Sequence, residues 1–222
     1  MTIFLLFVMI AVMLAIDLAR RSERRELSQS VKADEVGGVS ILGQRFFHPG
    51  HSWMTVDSAE QVTVGADEFA RKLVGKLSSV SLPKLGAVIK QGEVIGSLSS
   101  GTRTIPQVSP ISGMITEVNA KLVKNPELLN ESPLEKGWTV KVTPWGLTRE
   151  IRNLLRENAA KEWQEAVRHQ LLLWFSQSHI PAMQDGGTII ENVGGIVNDE
   201  QWNQLVADFF QVTYEEKGTR QE

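Results

Sequence analysis

The hydrophobic pattern divides the chain into three regimes. From Ile3 to Ile16 the apolar residues are unbroken. Started at Thr2 and carried to Ala19, they predict one helix of about 27 Å at 1.5 Å per residue, close to the roughly 30 Å hydrocarbon core of a bilayer. From Gln44 to Trp145 the run gives way to short segments of period-two character, among them Trp53 to Val56, Gln61 to Val64 and Trp138 to Val142. Such segments, punctuated by Gly and Pro, predict half-buried strands in a small all-β sandwich or barrel. Past Thr148, taken as an N-cap, the period becomes helical. Ile151, Leu154, Leu155, Ala159, Ala166, Val167, Gln170, Leu171 and Trp174 approximate one stripe, which should stop before Ile180-Pro181. A last helix, capped by Asp199, repeats the pattern with Trp202, Leu205, Val206, Phe209 and Phe210 at i, i+3, i+4, i+7 and i+8.

Local signals sharpen this outline. Asp67 to Leu73 reads as a short helix with Asp67 at its N-terminus and Gly75 as its stop. Gly92 to Gly113 reads as a β-hairpin: Val94, Ile95 and Leu98 supply one arm, Ile105 and Val108 the other, and Ser99, Ser100, Gly101 and Thr102 the tip. The predicted organisation is a transmembrane anchor at 1–21, a linker at 22–44, a β domain at 45–147, a C-terminal helical appendage at 148–214 and a disordered tail at 215–222. The stripe of Trp202, Leu205 and Phe209 must be buried somewhere. It either packs against the preceding long helix or forms a candidate partner surface for another protein.

Charge adds direction. No Lys or Arg precedes the apolar run, whereas Arg20, Arg21, Arg24 and Arg25 follow it, so Ile3 to Ile16 reads as a retained anchor and not as a cleaved signal peptide. Basic residues beside a span stay on the cytoplasmic side, which predicts a single-pass inner-membrane protein with its soluble domain in the cytoplasm. Asp17 at the edge of the span has Arg20 and Arg21 as local partners. The net charge of −3, with no basic stripe outside that cluster, argues against a nucleic-acid surface. With no cysteine, thiolate catalysis and Cys-based metal sites are excluded.

Little else carries chemistry. His48 and His51 flank Pro49-Gly50 at i, i+3, yet a metal site needs more ligands, and His169 and His179 lie far along the chain. Ser97, Ser99, Ser100, Thr102 and Ser109 cluster about the hairpin without a His or Asp base in that segment, and Gly194-Gly195 lacks the Lys-Ser/Thr of a phosphate loop. The sequence predicts no enzyme, no metal and no bound cofactor.

Between Phe47 and Pro144 a series of motifs stands in one order: His51-Ser52-Trp53, Val62-Thr63-Val64-Gly65, Leu82-Pro83-Lys84-Leu85-Gly86, Ser109-Pro110-Ile111-Ser112-Gly113, Glu117-Val118-Asn119, Asn125-Pro126-Glu127-Leu128-Leu129 and Gly137-Trp138. In these the chain resembles the glycine cleavage system H-proteins. The resemblance implies a mainly β fold, a flattened β-barrel or sandwich of the lipoyl-domain type (a barrel-sandwich hybrid), with a lysine at the hairpin tip that carries lipoate. Counting without gaps from Gly92 to Pro110 puts Thr102 at that lysine's position and Ser99 at that of the usual acidic residue. Arg103 is the nearest cation, and a guanidinium does not replace an amine nucleophile. Lys90 and Lys121 fall where the resemblance implies no attachment. The expectation is therefore a membrane-anchored, non-catalytic accessory or scaffold subunit with no lipoate, working with a protein partner in a membrane-associated redox assembly. The alternative is an active lipoyl-type carrier of the glycine cleavage system.

Overall fold

The computed structural model describes residues 41–133, 135–178 and 192–210. The predicted anchor with Ile3, Ile16, Arg20 and Arg21, most of the linker, and the tail from Glu215 lie outside the described residues. No helix among the described residues is long and apolar enough to cross a membrane.

Among the described residues nine strands make two antiparallel sheets. The larger has the order β1 (Arg45–His48), β2 (Ser52–Ser58), β3 (Gln61–Ala66), β9 (Trp138–Pro144), β8 (Gly113–Val118), β5 (Val88–Ile89). The smaller joins β4 (Ser79–Ser81), β6 (Val94–Ser100) and β7 (Arg103–Val108). This is a sandwich-like β domain, and the barrel expected as an alternative does not close: the two sheets share no paired strands. The alternation does its predicted work on β2, β3 and β9, where Met54, Val56, Val62, Val64, Val140 and Val142 turn inward and are fully buried. With Ile41, Phe46, Ile95, Ile111, Ile115, Leu147, Ile151 and Leu154 they form the first core. Ile41 thus belongs to the β domain and not to a linker.

The helices build a second core. Helix α1 (Glu68–Val74) starts where Asp67 accepts from the Ala70 amide at 2.9 Å and ends at Gly75, as the sequence predicts. Phe69, Leu73 and Val74 on this helix, Leu98 and Ile105 of the hairpin, and Leu122 of α2 (Ala120–Lys124) meet residues of the C-terminal appendage. Among them are Leu171, Phe175, Trp202, Leu205, Phe209 and Phe210.

The long helix expected from Thr148 is broken. The cap before Leu147 is Gly146; α4 (Leu147–Glu150) follows α3 (Leu128–Glu131) and continues as a 3-10 turn over Ile151–Asn153. Leu154 is then extended, because Leu155 exchanges both backbone hydrogen bonds with Phe47, each at 2.8 Å. The helix restarts as α5 (Glu157–Gln177) and buries Val167 and Leu171 of the predicted stripe together with Ala160 and Phe175, while Ala159, Ala166 and Gln170 are exposed and Trp174 is partly buried. One apolar run therefore serves two cores, Ile151 and Leu154 the first and Val167 onward the second.

The last helix, α6 (Asp199–Phe210), is capped by Asn198 and not by Asp199. The Asn198 side chain accepts from the Gln201 amide at 2.9 Å and the Gln201 side chain from the Asn198 amide at 3.0 Å, a reciprocal capping box. Trp202, Leu205 and Phe209 keep only 3, 0 and 5% of their surface exposed. They are core residues and not an open partner surface, because α1 and the hairpin, as well as α5, supply their apolar neighbours.

Candidate functional site

The hairpin tip is built by a two-residue loop. Ser100 pairs with Arg103, leaving Gly101 and Thr102 as the loop residues, both exposed. Gly101 takes φ +59° and Thr102 keeps negative φ, the sign pattern of a type II′ turn, which suits the twist of the strands that it joins. Ser78 braces the turn: its hydroxyl donates to the Ser99 carbonyl and accepts from the Gly101 amide, both at 3.1 Å. The Ser99 hydroxyl lies 2.9 Å from that of Thr104. Pro106 is tolerated in β7 because that strand is an edge of the smaller sheet.

Arg103 turns away from the tip and into the appendage. Its Nε donates to the Gly194 carbonyl at 3.0 Å, one terminal nitrogen to the Val197 carbonyl at 2.6 Å and the other to the Asp199 carboxylate at 2.7 Å. The guanidinium lies 5.7 Å from the centroid of the Trp202 ring, whose Nε1 donates to the Thr104 carbonyl at 3.3 Å. A Cβ on Gly194 would stand 3.0 Å from the Arg103 side chain and 3.2 Å from Trp202, so glycine is what lets the backbone come this close. The resulting clasp ties β7 to the turn before α6. Of the tip residues singled out from sequence, the structure brings Ser99, Ser100, Gly101 and Thr102 together at the solvent end and commits Arg103 to this clasp.

A second constellation, not anticipated as a unit, lies at the start of β2. His51 is 3% exposed and sits at φ +60°. Its Nδ1 is 2.9 Å from Oδ2 of Asp67, the same carboxylate that caps α1. The ring stacks on Phe69 at 4.2 Å and Trp163 at 5.1 Å, and meets Phe210 edge-on at 5.1 Å. His51 thus joins the β domain to both appendage helices. His48, two residues before Gly50, accepts from the Gly50 amide at 2.9 Å on Nδ1. Burial first, and the nearby His51 second, hold the His48 pKa below its ordinary value. Both imidazoles are therefore engaged in internal bonds. The only sequence hint of the His51 pair was that Asp67 reads as a cap.

Residues 45–167 match the family model described as glycine cleavage H-protein. The glycine cleavage system H protein of Geobacillus sp. (strain WCH70) is 39% identical over 118 residues, which is 53% of this chain and 89% of that protein. The probable glycine cleavage system H protein of Pyrococcus furiosus is 33% identical over 133 residues, covering 60% and 98% of the two chains. A crystal structure of a glycine cleavage system H protein from Mycobacterium marinum aligns with a TM-score of 0.43 and 31% identity over 47% of this chain and 86% of that one.

Proposed function

The chain belongs to the glycine cleavage H-protein family, and from that premise we propose that it works as a non-catalytic docking subunit that carries no lipoate at its hairpin. The observation that carries this reading is the chemistry of the tip. Attachment of lipoate as an amide requires a primary amine, and no lysine occurs from Gly92 to Gly113. Thr102, exposed in the turn, offers a hydroxyl, and the one nearby cation, Arg103, is folded back onto Gly194, Val197 and Asp199. These residues do not fit a covalently held lipoyl group, and no carrier step is derived through one.

Docking has surface to work with. Leu85, Val88 and Trp145 are 69, 56 and 52% exposed near the β5, β8 and β9 end of the larger sheet. The proposal includes the sequence reading of residues 1–21 as a membrane anchor with the β domain on the cytoplasmic side, which would place the subunit beside a membrane-associated redox assembly.

The second reading, an active lipoyl-type carrier, is the one that the comparisons favour, since the curated relatives bear the name glycine cleavage system H protein at 39 and 33% identity. It requires acylation on a residue other than Thr102. Intact mass of the chain from its native membrane, with peptide mapping across Lys90 to Lys121, separates the two. An unmodified mass is expected. A lipoyl-sized increment on any of these peptides overturns the docking-subunit reading and establishes the carrier. As a positive control, Thr102→Lys supplies the missing amine and should become a substrate for a lipoate ligase in vitro.

A further inference from the structure

We propose, resting on the anchored reading for the nearness of a bilayer, that the β5 end of the larger sheet lies on an anionic lipid surface. Leu85, Val88 and Trp145 enter the headgroup layer, and Lys84, Lys90 and Arg149 meet lipid phosphates around them. One stretch of β8 backs all three apolar residues. Val88 pairs with Met114, the Gly86 amide donates to the Ile115 carbonyl at 2.8 Å, and the Trp145 amide donates to the Ser112 carbonyl at 3.1 Å. Ser112 to Ile115 spans only about 10 Å at roughly 3.3 Å per residue, so the three residues form one patch. Val88, Met114 and Thr143 are cross-strand neighbours on the face opposite the buried Ile115 and Val142. The turn that carries Leu85 is fixed, since the Ala87 amide donates to the Lys84 carbonyl at 3.1 Å and the Ala87 carbonyl accepts from the Ile115 amide at 2.9 Å.

Exposure and charge select the occupant. Leu85, Val88 and Trp145 leave 69, 56 and 52% of their surface in water. Lys84 and Lys90 are exposed beside Leu85 and Val88, and Arg149, 83% exposed, lies next to Trp145, where a Cβ on Gly146 would stand 3.4 Å from its guanidinium. The acidic neighbours are engaged. Glu150 is 8% exposed and accepts from the Ser112 amide at 2.7 Å, Glu93 accepts from the Lys90 amide at 2.8 Å, and Glu117 pairs with Lys141 at 2.9 Å. Aliphatic and indole side chains ringed by long cations suit the bilayer interface, where Trp sits at headgroup level and Lys or Arg reaches phosphate. A stable protein interface takes about 800 Å² from each partner, whereas three side chains expose on the order of a few hundred. A tethered chain needs no more, because the tether raises the effective concentration of the bilayer. Addition of a partner strand is disfavoured as well, since β5 has two residues and the next amide, that of Lys90, is taken by Glu93.

The test uses the full chain, which has no cysteine, so that Val88→Cys can be labelled with an environment-sensitive fluorophore at one position. Flotation with phosphatidylcholine vesicles scores the anchor by itself. The fluorophore should shift to the blue and be quenched by nitroxide-labelled lipid in vesicles containing phosphatidylglycerol, but not in pure phosphatidylcholine. Added salt should reverse both effects. The same fluorophore on Thr102→Cys, at the hairpin tip, should stay in water in both lipids. Lys84→Glu with Arg149→Glu should lower the embedded-to-free ratio about 25-fold, roughly fivefold for each cation removed. If the chain fails to float on phosphatidylcholine, the anchor reading falls alone. Flotation with phosphatidylglycerol vesicles that the double substitution abolishes then sustains the patch, and its absence overturns it. In a chain that does float, the proposal is overturned by a Val88 probe that responds alike to both lipids, by equal quenching at Thr102, or by indifference to the double substitution. Shielding in phosphatidylcholine that grows with the density of protein assigns the face to a second copy and overturns it too.

Discussion

Replacing Arg103 by glutamine should loosen the C-terminal helix while leaving the larger sheet intact. The side chain is 17% exposed and donates charge-assisted hydrogen bonds to two backbone carbonyls, Gly194 and Val197. Each such bond contributes about 1.5–3 kcal/mol, and carbonyls left without a donor add a desolvation cost. The ion pair with Asp199 counts for little, because that carboxylate is 91% exposed. Contact with the Trp202 ring adds about 0.5–1 kcal/mol, and releasing a long side chain returns about 2 kcal/mol of rotamer entropy. These terms are not additive, and the net is about 2–4 kcal/mol, or about 30- to 1,000-fold in a local opening equilibrium. Native-state amide hydrogen exchange reads this directly: protection of α6 should fall by that factor in Arg103→Gln, while β8 and β9 hold theirs. Asp199→Asn, which removes only the exposed pair, should change protection less than about fivefold. Equal effects of the two substitutions, or unchanged protection of α6 in Arg103→Gln, would refute the clasp as the tie between hairpin and appendage.

Asp67→Ala removes the α1 cap and the partner of His51 together, and should cost about 2–4 kcal/mol in urea denaturation, whereas Asp67→Asn should recover most of the capping share. Trp202→Ala should cost about 3–5 kcal/mol by opening a void in the second core, read as a drop in the urea midpoint. His48, with its folded pKa lowered by burial, resists a proton that the unfolded chain accepts near pH 6.5. Its contribution to stability is complete above that pH, declines as the pH falls through it and levels off below the folded pKa. His48→Asn should therefore flatten the stability profile in that window, and an unchanged profile sinks the assignment.

What the sequence made legible was local. Asp67 and Gly75 marked both ends of α1, the Ser-Gly-Thr turn marked the tip, and the five-residue apolar stripe marked α6 to within its cap. The misses are non-local. Nothing near Leu155 reveals that its backbone bonds to Phe47, so periodicity alone runs the helix straight through the break and includes the exposed Ala159, Ala166 and Gln170 beside the buried Val167 and Leu171. The stripe on α6 said that burial was needed without saying where. The hairpin end of its neighbourhood is fixed by Arg103, whose partners lie 91, 94 and 96 residues away and include two carbonyls that any residue type could supply. At the tip the sequence shows only that no lysine occurs from Gly92 to Gly113.

The division of one apolar run between two cores has a consequence for synthesis on the ribosome. The first core closes once Leu154 has emerged, but nine of the 21 buried residues of the second, from Leu171 to Phe210, lie past residue 167, where the family match ends. At about 5–20 residues per second, Phe69, Leu73, Leu98 and Ile105 wait for several seconds with their apolar faces uncovered. During that interval the apolar faces of the nascent β domain stay uncovered, and closure of its second core waits for the helices that follow residue 167.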